Sequence, residues 1–113
     1  MATYEIEAVL VPDPDGGPDP VLKLAVPNPL DMPGTVRYFT RIANATGVKV
    51  RFDPGEGSPF LDENNKPRAT VVSHNDPNEA LSLEVPGNFF AHCFLVPQGS
   101  GPTEEYGGNH VVR

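Results

Sequence analysis

The prolines decide what this chain can become. Fourteen are spread through 113 residues, and each falls between short apolar runs rather than inside them. A proline has no amide hydrogen to give to a helix or a sheet ladder. The chain is therefore divided into short extended runs joined by turns, and the spacing predicts a folded, loop-rich domain. The length is that of one domain, so a single unit over 1–113 is expected.

The runs between the prolines alternate. In residues 3–11, Tyr4, Ile6, Ala8 and Leu10 share one side while Thr3, Glu5 and Glu7 share the other. A period of two with one charged side describes a half-buried strand. Residues 12–20, with four prolines and two glycines, read as an exposed loop, 21–26 as a second strand, and 27–34 as a connector. In 35–43 Val36, Tyr38, Thr40 and Ile42 fall on one face. In 48–52 Val48, Val50 and Phe52 point inward, and Lys49 and Arg51 outward. Residues 53–68 form a polar loop holding the apolar plug Pro59-Phe60-Leu61. Further strands are expected over 68–74, 80–85, 89–95 and 109–113. Asp76, Pro77 and Glu79 also suit the start of a short helix over 77–82. A turn leading into a strand is preferred, because Leu81, Leu83 and Val85 alternate and Pro86 ends the run. About seven or eight short strands at even spacing, without a long helical period, argue for an antiparallel β-sandwich or barrel.

Charge narrows the partners. Fifteen acidic residues against eight basic ones leave a net charge of −7. Such a balance repels a phosphate backbone and an anionic membrane surface, so no nucleic acid and no membrane are expected as partners. No apolar run approaches the ~20 residues that span a bilayer. Residues 1–12 carry two glutamates and no basic segment, unlike a secretory leader, and the one cysteine has no second thiol to pair with. A reduced thiol in a cytoplasmic protein is the resulting expectation, with a mature secreted domain whose leader has been removed as the alternative.

Residues 33–52 and 86–95 resemble the cupredoxin-like β-sandwich, and the resemblance covers about residues 30–113. Gly34, Val36 and Tyr38 match its "G-x-x-V-x-F" strand approximately, and Val48, Val50 and Phe52 occupy its "H-x-V-x-F" strand. Gly87, Phe89, Ala91 and Cys93 follow the spacing of its "G-x-Y-x-F-x-C" strand, with Ala91 a departure, and Gly108, His110 and Val112 fall near its last strand. The resemblance implies a blue-copper site of two histidines, a cysteine and a weak axial methionine. Here Val48 stands at the first histidine position, Gln98 is the nearest polar residue to the second, and Tyr106 falls near the methionine. Of four ligands only Cys93 remains. An antiparallel sandwich, cupredoxin-like or immunoglobulin-like, with no redox cofactor, is therefore expected.

The remaining constellations are sparse. His74, His92 and His110, with Cys93, would make a copper or zinc site only if the fold brought them together, since no pair has close ligand spacing. Taken singly, the histidines are expected at the surface or in local hydrogen bonds. Asp13, Asp15 and Asp19 partly match a calcium loop but lack its late glutamate. His92 and Cys93 are adjacent on a strand and point to opposite faces, so they cannot act as a nucleophile and its base. No catalytic motif is present, and a non-enzymatic role is expected. Phe89, Ala91, Cys93 and Leu95 form an apolar, core-facing set, which leaves Phe90, His92 and Phe94 on the other face. Such an aromatic patch suits self-association or a protein partner.

Overall fold

The computed structural model describes residues 2–53, 55–97, 105–106 and 108–113. Nine strands form among them: β1 (Ala2–Val11), β2 (Val21–Ala25), β3 (Gly34–Thr40), β4 (Gly47–Phe52), β5 (Thr70–Ser73), β6 (Leu81–Ser82), β7 (Gly87–Val96), β8 (Glu105–Tyr106) and β9 (Asn109–Val112). They make a five-stranded sheet in the order β6-β3-β1-β2-β8 and a four-stranded sheet in the order β5-β4-β7-β9. The protein is an all-β sandwich with its core between the sheets. Ile6, Ala8, Leu22, Leu24, Val36 and Tyr38 come from one sheet; Val48, Val50, Phe52, Phe89, Ala91, Cys93 and Leu95 come from the other.

Antiparallel pairing dominates, but β1 and β3 run parallel, from Ala2↔Gly34 to Ala8↔Thr40, and β2 runs parallel to β8. The β1–β3 pairing follows from the connector 26–33. That segment leaves the five-stranded sheet and runs beside β9, where the Leu30 amide donates to the Val111 carbonyl at 2.7 Å and the Arg113 amide to the Leu30 carbonyl at 2.9 Å. β2 runs antiparallel to β1, and the excursion reverses the chain a second time, so β3 returns in the direction of β1 and pairs with its other edge.

Several boundaries differ from the expectation. β3 stops at Thr40, because the Asn75 side chain bonds both backbone groups of that residue: it accepts from the amide at 2.9 Å and donates to the carbonyl at 3.1 Å. Residues 76–79 form a turn, with Glu79 N donating to Asp76 O and Asn78 N to Asp76 Oδ1, and no helix follows. The strand expected over 80–85 is regular only at Leu81–Ser82, since beyond it the Glu84 and Val85 amides both turn to the Pro59 carbonyl. Leu10 lies 41% exposed rather than in the apolar layer. The β3 register ends at Ala8, so one flank of β1 is open at that point. The two-residue β8, too short to show a period, was not foreseen.

The polar loop between β4 and β5 seals the sandwich. Its Phe60 is buried edge-on against Phe52 (centroids 5.9 Å) and Tyr38 (6.2 Å). Asp62 holds the loop tip by accepting from the amides of Asn64 and Lys66 at 2.8 and 3.0 Å, and these bonds lower its pKa from the usual carboxylate range.

Candidate functional site

Cys93 sits on β7 opposite Val50 of β4, is 2% exposed, and belongs to the core. Val48, which stands where the cupredoxin pattern has a histidine, is fully buried opposite Leu95. Gln98 lies outside the described residues, and the backbone of Tyr106 pairs with Lys23 in β8. Copper of this type needs two imidazole nitrogens beside the thiolate. The thiol lies in the core and Val48 stands where an imidazole would be needed, so these residues do not fit that centre.

The histidines occupy separate environments. His74, exposed just after β5, pairs through Nδ1 with Glu79 Oε1 at 3.3 Å. His92 projects from the outer side of β7 and gives Nε2 to Asp53 Oδ1 at 2.8 Å. His110 is the locally hydrogen-bonded case rather than the surface one: it is fully buried on β9. Its Nδ1 lies 2.7 Å from the Gly108 carbonyl, which can only accept, so Nδ1 carries the proton and Nε2 accepts from the Tyr38 hydroxyl at 2.8 Å. Burial lowers the His110 pKa from 6.5 to about 4, against the opposing pull of the Gly108 and Phe89 carbonyls. Burial also raises Tyr38 well above 10. Both groups are neutral, and both ring nitrogens of His110 are engaged, one by Gly108 and one by Tyr38. Among the described residues no group of three His, Cys, Asp or Glu side chains is placed to hold a metal. In the 12–20 loop Asp13 serves its own turn, its Oδ1 accepting from the Asp15 amide at 2.9 Å.

The two outer faces differ in how their cations are treated. On the five-stranded sheet, Arg37 meets Glu5 at 3.3 Å and Arg41 meets Glu7 at 3.8 Å. Both guanidinium groups also cover the ring of Phe39, at 4.7 and 5.4 Å from its centroid. The two arginines of that face are paired and Phe39 is only 9% exposed, while Lys23 projects from the same face without an ion pair among the described residues. On the four-stranded sheet, the register sets Lys49 beside Phe94 and Arg51 beside His92. The Lys49 ammonium lies 5.9 Å and the Arg51 guanidinium 5.5 Å from the Phe94 centroid. Neither cation has an ion-pair partner among the described residues, whereas three of the other arginines do. The expected patch of Phe90, His92 and Phe94 lies on this face, each residue half-buried, with Phe90 edge-on to His92 at 5.1 Å. A depression of about 310 Å³ opens between Lys49, Arg51 and Phe94.

Sequence reading put Lys49 and Arg51 outward but gave them no role. Their alternation was visible, while their closeness to Phe94 depends on the β4–β7 register, which joins residues about forty positions apart. No protein-family model matches the chain, and no curated protein matches it in sequence. No helix among the described residues is long and apolar enough to cross a membrane.

Proposed function

We propose that this protein is a non-catalytic β-sandwich binding module, without a redox metal, that engages a protein partner through the outer face of β4 and β7. The observation that carries this reading is the pair Lys49 and Arg51 over the half-buried Phe94, cations left without carboxylates in a chain whose charge is −7. Aromatic and arginine side chains are enriched where protein interfaces bind tightly. The opposite face pairs its arginines and buries Phe39, and its unpaired Lys23 lies over no aromatic ring among the described residues.

The donor chemistry favours this reading over a copper or zinc protein, because His110 uses both ring nitrogens inside the core and Cys93 faces the opposite side of β7 from His92. The finer fold reading, cupredoxin-like or immunoglobulin-like, is part of the same proposal. Its support is that the Gly34-Val36-Tyr38 and Gly87-Phe89-Ala91-Cys93 segments each supply an inward face, one from either sheet.

A photo-reactive phenylalanine analogue placed at Phe94, and separately at Val9 on the opposite sheet, tests the contact face in an extract of the cells that make the protein. Cross-linked products from position 94 and none from position 9 are expected. Equal products from both, or products from position 9 alone, overturn the assignment.

A further inference from the structure

The contact face carries a charge pattern that constrains what it holds. Lys49 and Arg51 are two residues apart on one strand, so they lie on the same side of β4, about 6.6–6.8 Å apart along the chain. An extended peptide has the same repeat, so acids at alternate positions reach both cations at once. Between them Phe94 is half-buried, so part of its ring stays open to an apolar neighbour.

Other occupants fit this pattern less well. A two-fold dimer through this face would bring each copy's cations towards those of its partner, because such an interface joins the same patch to itself. A nucleic acid would meet only these two adjacent cations in a chain of net charge −7, while its binding depends on neutralising several phosphates. An acidic protein segment needs only the local pair. The acids elsewhere in the chain repel such a segment at a distance, so recognition is a contact effect confined to the patch.

We infer that the partner held on the β4–β7 face is an extended acidic segment of a protein, with carboxylates at alternate positions that pair with Lys49 and Arg51 and an apolar side chain seated on Phe94. This rests on the binding-module reading, and the two are separable by experiment. Random dodecapeptides displayed on phage are selected on the wild-type protein, and the winners are mapped by amide chemical shifts. The expected winners are enriched in acid-x-acid sequences and shift the amides of β4 and β7. They lose about tenfold or more in affinity on Lys49→Glu/Arg51→Glu and on the milder Lys49→Gln/Arg51→Gln. Raising salt to about 0.5 M weakens them. Unchanged melting curves for both variants establish that the loss is not unfolding. Winners that map to β4 and β7 without an acidic excess, or that bind the charge-reversed protein equally, overturn the acidic-segment inference and leave the binding face standing. Winners that map elsewhere, or no winners, overturn both.

Discussion

The Tyr38 hydroxyl donates a 2.8 Å hydrogen bond to Nε2 of His110, tying β3 of one sheet to β9 of the other through the middle of the core. Phe52 and Phe60 surround the pair, with the Phe52 and His110 rings 5.3 Å apart. Each polar group satisfies the other where water does not reach. Removing one strands its partner at a cost of about 1–3 kcal/mol, whereas replacing both with apolar groups of similar shape costs much less. Tyr38→Phe and His110→Leu are therefore expected to destabilise singly, and the double variant by less than their sum. Urea unfolding of the four proteins measures the coupling.

The same pair sets an acid response. Above pH 6.5 His110 is neutral whether folded or unfolded, and its contribution is flat. Between 6.5 and about 4 the unfolded chain takes up a proton that the folded one refuses, so stability falls as pH drops. Below about 4 both states are protonated and the loss is complete, at about 3 kcal/mol for a shift of this size. Unfolding free energies of the wild type and the Tyr38→Phe/His110→Leu variant across this range check the sign. The wild type is expected to lose stability relative to the variant on acidification, because only the wild type carries the buried imidazole.

Phe60 is a loop residue with the burial of a core residue. Phe60→Ala opens a cavity against Phe52 and Tyr38, and a loss of about 3–5 kcal/mol is expected. Chemical denaturation measures it. A loss below about 1 kcal/mol, the level of a surface substitution, would show that the loop does not close the sandwich.

Gly47 begins β4 where a side chain has no room, since a β-carbon there would overlap the Ser73 carbonyl oxygen of β5. The obstacle is backbone, which cannot swing aside as a side-chain tip can. Gly47→Ala is expected to displace β5 and lower the melting temperature by several degrees, as one or two kcal/mol does in a domain of this size. Gly55→Ala, where nothing lies within 4 Å but φ is +91°, separates strain from crowding.

Cys93, packed among core side chains, is expected to react with a thiol reagent only when the sandwich opens. The reaction rate should rise with denaturant in step with unfolding and should not change with Lys49→Glu on the outer face. Fast reaction in the native buffer would place the thiol at the surface and remove the packing argument.

Much of the fold was legible before any coordinates. Alternation in 3–11, 48–52 and 89–95 placed Ile6, Val50 and Cys93 inward, because a strand's period of two is a local property of the backbone. The proline-rich connectors marked where strands end. The exposure of Leu10 was not legible because it depends on how far β3 extends beside it; for His110 a local bond was expected, but not its partner Tyr38, seventy-two residues away.

The sequence by itself determined that this chain makes short strands, which face of each is apolar, and that no imidazoles stand at the copper positions after Cys93. Only the tertiary structure decided that β1 and β3 run parallel, that Tyr38 and His110 meet, and that Lys49 and Arg51 flank Phe94 without carboxylates. The reason is physical. Side-chain direction along a strand follows from bonds between neighbours, whereas strand register and ion pairing follow from how distant segments share one core.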